Sequence, residues 1–467
     1  MQRILIKETT EYTGQKVKLC GWVNTRRDHG SIVFIDLRDI SGLVQVVLKP
    51  ELAKDVRPEW VVCIEGLVKA RPEKMVNPNF ATGKIEIEAE SLEVLSKAKT
   101  LPFEISKPKD EVNEELRMKY RYLDLRREKM RNNLILRQKV ISFMRNFLTK
   151  EGFIEVETPI LTKSTPEGAR DYIVPSRNQP GKFYALPQSP QQYKQLLMVA
   201  GLEKYFQIPR CFRDEDPRGD RQPEFTQLDL EMSFTDQEEI INLVENLYTK
   251  IVKEITPEKK IMQSPFPRLT YKEATEKYGS DKPDLRVDKS NPHELAFAWV
   301  LDFPMFEWKK EENRWDATHH PFTRPQTDDI EKIKKNPGEI LAYQYDLVLN
   351  GCEIGGGSLR IYKPEMLEAI FEIMGHKKEE IRQKFGHMLE AFEYGVPPHG
   401  GMAPGIDRFV MILAGEPSIR EVIAFPKTGD GRDLMMDSPA EVTDNQLKEL
   451  SVKIVKKAVK NKKKVKK

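Results

Sequence analysis

Five short runs in the first hundred residues, QKVKLCGWVN, SIVFIDLRD, GLVQVVL, WVVCIEGLV and KIEIEAESLEVL, alternate apolar and polar positions and are separated by turn-forming residues. A period of two marks strands with one buried face, and five of them without a long helix between predict a small closed β-barrel over residues 1–100. The next stretch, LPFEISKPKDEVNEELRMKYRYLDL (101–125), is charged, holds two prolines and shows no apolar period, so it reads as a linker. The period then changes. Met130, Leu134, Ile141, Met144 and Leu148 fall on three- and four-residue spacings, which predicts a helix stopped by Gly152. The strand FIEVETP follows and ends at Pro159, which lacks the N–H that a central ladder needs. From there to about residue 440 hairpins outnumber crossovers: EKYFQIPRCFRDED with PEFTQLDLEMSF, and AYQYDLVL with CEIGGGSLRIY around Asn350-Gly351, a dipeptide suited to two left-handed turn residues. The prediction is an α+β chain. The barrel is followed by a domain over 126–440 with a mixed, mainly antiparallel sheet flanked by helices, then by a short helix and basic tail over 441–467.

Composition narrows this picture in three ways. Hydrophobic residues at 39% supply enough material for real cores, which excludes wholesale disorder. No apolar run approaches the roughly 18 residues of a membrane span, and the first ten residues lack the apolar stretch of a signal peptide, so a soluble, cytoplasmic protein with no membrane partner is expected. Cys20, Cys63, Cys211 and Cys352 lie far apart with no CxxC pair, which speaks against a disulfide framework or a structural zinc site and predicts small buried side chains. The net charge of +3 conceals an asymmetry: residues 451–467 hold nine lysines and no acid, leaving 67 basic against 73 acidic residues elsewhere. Such a tail is a solvated end or an electrostatic grip on an RNA backbone.

The barrel, most simply an OB-fold, carries Arg26, Arg27, Phe34 and Gln45 close together; cations, an aromatic plane and an amide suit phosphate contact, base stacking and base-edge reading. In EFTQLDLEMSF, Gln227, Asp229 and Glu231 share one face and Leu228, Leu230 and Met232 the other, while Arg213 arrives from the preceding strand. If Asn350-Gly351 is a two-residue turn, Val348 pairs with Glu353, and Asp346 and Glu353 become diagonal neighbours fit for Mg²⁺. Strict alternation puts Arg360 on the opposite face from Glu353 unless Gly355-Gly356-Gly357 absorbs a bulge. Arg408 opens an apolar helix behind a glycine-rich approach, an anion site. His319-His320 reads as hydrogen bonding rather than ligation, since adjacent side chains diverge. Taken singly, each of these has a plainer explanation in surface ion pairs and packing.

Taken in order, they resemble the three motifs of class II aminoacyl-tRNA synthetases, and among these the bacterial-type aspartyl-tRNA synthetases. The helix into FIEVETPIL looks like motif 1, FRDED through RQPEFTQLDLE like motif 2, and GMAPGIDR like motif 3. CGWVNTRRDHGSIVFIDLRD, KYRYLDLRR, TKSTPEGARDY, ALPQSPQQYKQLL, YGSDKPDLR, HHPFTRP and GGGSLRI match family wording, so the likeness covers residues 12 to about 440.

The resemblance implies an ATP-dependent ligase that joins L-aspartate to tRNA(Asp) through an aspartyl-adenylate, with no protein nucleophile. It places Arg213 on the α-phosphate of ATP and Arg408 on the γ-phosphate, with Asp214, Glu215, Gln222, Glu353, Gly405, Ile406 and Asp407 around the nucleotide. Asp346 and Glu353 would hold Mg²⁺. Glu167, Gln191 and Asp229 would take the α-ammonium of aspartate, and Lys194 and Arg360, with His319 and His320, its side-chain carboxylate. Arg27, His29, Phe34, Gln45 and Lys74 would meet the anticodon, and the motif 1 helix implies a homodimer. Relaxed relatives that also charge tRNA(Asn) tend to carry histidine at the position of His29; Lys74 is more like strict ones, and the reading leans to the relaxed form. The domain usually inserted after YGSDKPDLR is missing, because VDKSNPHELAFAW runs within a few residues into VLDFPMF. Two alternatives remain: an idle RNA-binding paralogue, and one that activates asparagine or lysine.

Overall fold

In the computed structural model, which describes residues 1–106, 111–164 and 168–455, the chain forms two units, Met1–Glu104 and the residues from Ile105 onward. In the first, Lys16–His29 (β1), Ile32–Asp39 (β2), Gly42–Leu48 (β3), Val61–Ala70 (β4) and Ile85–Ser96 (β5) close a barrel in the order β1-β2-β3-β5-β4. The alternation does what it predicts: Val17, Leu19, Ile35, Leu37, Val44, Val46, Val62, Ile64 and Ile87 are buried inside, each full burial contributing about 1.5–3 kcal/mol. The alternation breaks once in β1. Val23 pairs with Leu37 but Thr25 pairs with Asp36, so Asn24 is an extra residue. This bulge turns Thr25, Arg27 and His29 outward, beside Phe34 and Asp36 of β2.

The second unit departs from the expected linker. Glu114–Lys119 and Arg121–Asp124 are helices, the first capped by Asn113, whose Oδ1 accepts from Leu116 N at 3.2 Å. Several of their charges are buried rather than solvated: Asp124 receives Arg117 at 3.0 Å, Arg121 at 2.7 Å and Arg127 at 2.9 Å, and Arg117 also reaches Glu421 at 2.8 Å. A charge-rich segment without apolar period reads as linker only when its charges face water; here they satisfy one another.

The motif 1 helix is Glu128–Lys150 (α1), and Ile154–Glu155 (β6) follows. After Gln191–Val199 (α2) come Lys204–Gln207 (β7), Arg210–Phe212 (β8), Glu224–Thr226 (β9) and Asp229–Ser233 (β10), then helix Gln237–Ile255 (α3) and strands Arg268–Thr270 (β11) and Phe297–Leu301 (β12). Gln344–Leu349 (β13), Cys352–Leu359 (β14), helices Pro364–Ile373 (α4) and Lys378–Glu393 (α5), strand His399–Pro404 (β15) and helix Ile406–Ala414 (α6) complete the core elements. One eight-stranded sheet runs β11-β12-β13-β14-β15-β10-β7-β6, parallel only at its two edge pairs. Helices α1, α3 and α6 cover one face through Met144, Leu148, Val244, Tyr248 and Phe409, against Leu230, Phe297 and Tyr345 from the strands. The other face is left for α2 and the charged residues.

The first expected hairpin is split in two: β7 pairs with β10 in the main sheet, while β8 and β9 form a separate ribbon beyond Pro209. The second forms as expected. Asn350 at φ 52° and Gly351 at φ 77° make the left-handed turn, and Val348 pairs with Glu353. Leu347 then pairs with Gly355, so the register slips by one residue at Ile354. Ile354 and Leu347 join the helix-covered core, while Glu353, Gly356, Ser358 and Arg360 fall on the opposite face. Among the described residues no helix is long and apolar enough to cross a membrane, and Asp444–Glu449 is the final helix. Residues 456–467, most of the lysine tail, lie outside the described residues.

Candidate active site

Strand β10 presents Asp229 and Glu231, both fully buried, to Lys194 from α2, which is 1% exposed. Lys194 Nζ lies 2.8 Å from Asp229 Oδ1 and 3.2 Å from Glu231 Oε2. Arg360, just past β14, donates from Nε and Nη2 to Glu231 at 2.8 and 3.1 Å, and from Nη1 to Ser358 Oγ at 2.5 Å. Its Nη1 also lies 2.8 Å from His320 Nε2. Arginine has no acceptor, so His320 Nε2 accepts and the ring proton sits on Nδ1, toward Thr323 Oγ1 at 3.4 Å. Gly401 makes room for this cluster: a Cβ there would collide with Glu231 Oε2.

The two carboxylates differ in character. Burial raises both, but Arg360 and Lys194 together hold Glu231 down at about 2. Asp229 is pushed up, chiefly by burial, with Lys194 only partly offsetting it; its Oδ2 has no hydrogen-bond partner. His319 presents surface to the cleft yet lies deep among protein atoms. Its pKa is lowered by desolvation and by Arg360, Arg213 and Lys194, which keeps it neutral.

Asp229, Lys194, Arg360, His319 and His320 line a cleft of about 290 Å³, with Glu231 behind them; Gln191 contributes too, its Nε2 donating to Gln195 Oε1 at 3.0 Å. A second cleft of about 180 Å³ lies alongside, lined by Gln222, Phe225, Gly405 and Arg408, and Arg213, Glu215, Gln227 and Glu353 belong to both. The Arg213 guanidinium sits 5.1 Å over the Phe225 ring, with Nε buried and unpartnered. Arg408, in the first turn of α6, donates to Glu353 O at 2.8 Å and pairs with Asp220 at 3.2 Å. Gln222 exchanges hydrogen bonds with the backbone of Lys427 at 2.7 and 3.2 Å, and Glu215 pairs with Arg221 at 2.8 Å.

Asp407 lines the second cleft with its carboxylate held by Thr226 N at 2.9 Å and by Arg137 of α1, and two nucleotide-site expectations lie outside both linings. Ile406 belongs to the core below, and Asp214 lies outside both linings, its N–H donated to Arg170 O. The family wording marks positions; it does not say which way a side chain turns. Glu167 lies outside the described residues. A larger cavity of about 530 Å³ between Leu161, Tyr184, Tyr193 and His387 carries none of these arginines or acids, so the chemistry belongs to the smaller charged clefts.

Asp346 and Glu353 meet as the hairpin register requires. Burial and the charge of Glu353 push the Asp346 carboxyl well up, and Lys282 Nζ stands 3.6 Å from Glu353 Oε2. Two carboxylates facing each other across a bulge beside a phosphate-sized cleft are a hard-oxygen donor set, the kind Mg²⁺ takes.

On the barrel's outer face Arg27 makes a two-pronged pair with Asp36 at 2.9 and 3.1 Å and reaches Gln45 at 3.3 Å, and Gln45 donates to Glu86 at 3.1 Å. The His29 ring stands edge-on to Phe34 at 5.6 Å, both rings on the solvent side of the strands. Arg26 turns away to cap Ala53 O and Val56 O at 2.8 and 2.6 Å, while Lys74 is exposed in the turn Glu73–Met75. Phe225, Lys282, Asp36 and Glu86 were not singled out from the sequence, and Glu231 was named only as sharing a face with Asp229, without a role. Alternation alone marks Glu231 as a neighbour of Asp229, and Asp36 as one of Phe34.

An OB barrel joined to an antiparallel sheet with buried cations beside an arginine-lined cleft defines the class II synthetase arrangement. Residues 113–429 match the family described as tRNA synthetases class II (D, K and N), and residues 17–95 match the OB-fold nucleic acid binding domain. The chain belongs to the class II tRNA synthetases of this D, K and N group. A protein of Syntrophomonas wolfei named Aspartate--tRNA(Asp/Asn) ligase is 45% identical, covering 94% of this chain and 97% of its own. A protein of the same name from Natranaerobius thermophilus is 44% identical over 96% and 98%. Among solved structures, asparaginyl-tRNA synthetase from Pyrococcus horikoshii matches with a TM-score of 0.74 at 25% identity, covering 92% and 98%. Aspartyl tRNA synthetase from Entamoeba histolytica matches with 0.71 at 25% identity, covering 91% of each chain. The 571 aligned positions of the Syntrophomonas relative exceed the 467 residues of this chain, so that relative carries about a hundred residues or more that are missing here.

Proposed function

We propose that the chain activates L-aspartate with ATP and transfers the aspartyl group to tRNA(Asp) and to tRNA(Asn). The observation that carries this reading is the cluster of Lys194, Arg360, Asp229 and Glu231, set where the two clefts meet at Arg213. Four of Arg360's five N–H groups are engaged, which leaves one donor, and Lys194 is held by its ion pairs with Asp229 and Glu231, so both cations can serve the substrate's side-chain carboxylate. Asp229 Oδ2, unpartnered, accepts the α-ammonium. The two cations are balanced by Glu231 and Asp229. Asparagine is rejected because its NH₂ meets donors where an acceptor is needed.

The α-carboxylate of aspartate, held at this junction, attacks the α-phosphate in line and pyrophosphate leaves; the terminal ribose hydroxyl of the tRNA then takes the aspartyl group. Arg213, with a free Nε, neutralises charge at the reacting phosphate, and its partner face Phe225 offers a flat surface for the base. Arg408, at a helix N-terminus, meets the far phosphate. Asp346 and Glu353 would hold Mg²⁺, which supplies positive charge to the phosphates when bound. The outer barrel face receives the anticodon. A dimer covers Ile160 and Leu161, which are 49% and 54% exposed after the motif 1 strand. The deciding experiment is aminoacylation of purified tRNA(Asp) and tRNA(Asn) with aspartate and with asparagine; charging by asparagine, or by neither, refutes the reading.

A further inference from the structure

The four cysteines are separated in sequence, yet the pairing of β1 with β4 sets Cys20 directly opposite Cys63. The backbone hydrogen bonds fix what kind of pair this is. Val68 N–H donates to Gln15 O and Val23 N–H donates to Trp60 O, so the odd-numbered residues of β1 form the hydrogen-bonded pairs with β4. Lys18 is consistent with this: its carbonyl turns away from β4 and accepts from Ile4 N at 3.1 Å. Cys20 and Cys63 therefore form a non-hydrogen-bonded pair, whose Cα atoms stand about 4.5 Å apart with side chains on the same side. That separation lies within the roughly 4.4–6.8 Å that a disulfide spans. Leu19, Val62 and Ile64 point into the barrel, so the two thiols lie on its outer wall, flanked by the Lys18–Glu65 ion pair at 3.3 Å.

We infer that Cys20 and Cys63 are a modification site: a vicinal thiol pair that a low-molecular-weight disulfide oxidises to an intramolecular cross-strand bridge. Cys20 is half-buried and Cys63 is 6% exposed, so Cys20 is the entry point. Its thiolate attacks the small disulfide RSSR, one RSH leaves, and a mixed disulfide remains. The Cys63 thiolate then displaces the second RSH. The pair loses two protons and two electrons, and one RSSR becomes two RSH. The other cysteines are not equivalent: Cys211 is fully buried with Sγ 3.2 Å from Gln227 Oε1, and Cys352 lies in the other unit with its thiol pKa raised by burial.

The test uses the full chain, equilibrated with oxidised glutathione, quenched with an alkylating reagent and mapped as peptides. The expected result is a peptide linking Cys20 to Cys63, two hydrogens lighter than its reduced parts, with Cys211 and Cys352 still alkylated and aspartate-dependent ATP–pyrophosphate exchange unchanged. C63S should stop at glutathione on Cys20, and C20S should form neither product. All four thiols remaining alkylatable in the native chain, glutathione persisting on Cys20 while Cys63 is present, or a bridge involving Cys211 or Cys352 would each overturn the inference.

Discussion

At the Lys194 ammonium two carboxylates compete for one cation, and the outcome sets how the site responds to pH. Glu231 has a second cation in Arg360 and is held at about 2, against 4.5 for an unperturbed group; Asp229 has no second partner and is raised. A depressed carboxylate stabilises the fold above its unfolded pKa, and that contribution is lost as pH falls from about 4.5 toward 2. Asp229 acts in the opposite sense, so a comparison with a variant isolates Glu231. Glu231→Gln leaves Lys194 and Arg360 short of charge and should destabilise the catalytic unit by about 3–5 kcal/mol at pH 7. The urea midpoint should drop accordingly, and the variant's stability should vary less between pH 5 and 3 than the parent's. Equal pH dependence of the two proteins would contradict the assignment. Arg213→Ala should lower the unfolding free energy by no more than about 1 kcal/mol, since Nε has no partner to lose and only the contact with the Phe225 ring goes, and should abolish ATP–pyrophosphate exchange. Near-normal exchange would remove Arg213 from the reacting phosphate.

Two single-residue bulges do the positioning work at the level of strands. Asn24 in β1 brings Arg27 and His29 to the face that holds Phe34, and Ile354 in β14 brings Glu353 to the face that holds Arg360. Without them a period of two would turn each set of partners to opposite sides. Phe34→Ala should therefore spare exchange while weakening tRNA charging by about 1–3 kcal/mol, roughly 5- to 150-fold in kcat/KM, because the ring stands on the barrel's outer face and contributes nothing to its core. Loss of both activities together would place the barrel in a different role. The strands themselves were legible because each signal is local: alternation within five to ten residues, and Asn350-Gly351 at the turn. What was not legible depends on pairing between distant segments. Asp124 with Glu421's partner Arg117 reads as solvated charge until the helices fold against one another, and Cys20 has no visible relation to Cys63 until β1 meets β4. A bulge could be anticipated only because Glu353 and Arg360 had to share a face for a chemical reason, and it falls at Ile354, just before the glycines expected to absorb it.

For the whole molecule the remaining questions are how many chains act together and which tRNA they charge. Ile160 and Leu161 follow the motif 1 strand with about half their surface exposed, and a second chain covering them predicts a dimer by sedimentation at micromolar concentration. Leu161→Asp should shift the mass toward a monomer, whereas a parent chain that is monomeric and fully active would refute the dimer. The choice of tRNA rests on a smaller difference. His29 closes β1 at the rim of the outer face, exposed and edge-on to Phe34, and its ring nitrogens can donate to or accept from a base edge. Lys74, on an exposed turn, adds charge without a second hydrogen-bonding pattern. A side chain that satisfies either base discriminates little, while leucine leaves a mismatched edge unpaired at a cost of about 1–3 kcal/mol. Parent protein is therefore expected to charge tRNA(Asn) and tRNA(Asp) within about tenfold of each other, and His29→Leu to widen the gap by roughly 5- to 150-fold through tRNA(Asn) alone. Exchange without tRNA should not change, since the barrel contributes nothing to adenylate formation. A parent that charges tRNA(Asn) several hundredfold less well than tRNA(Asp), with His29→Leu making no difference, would show that base choice is read by other residues.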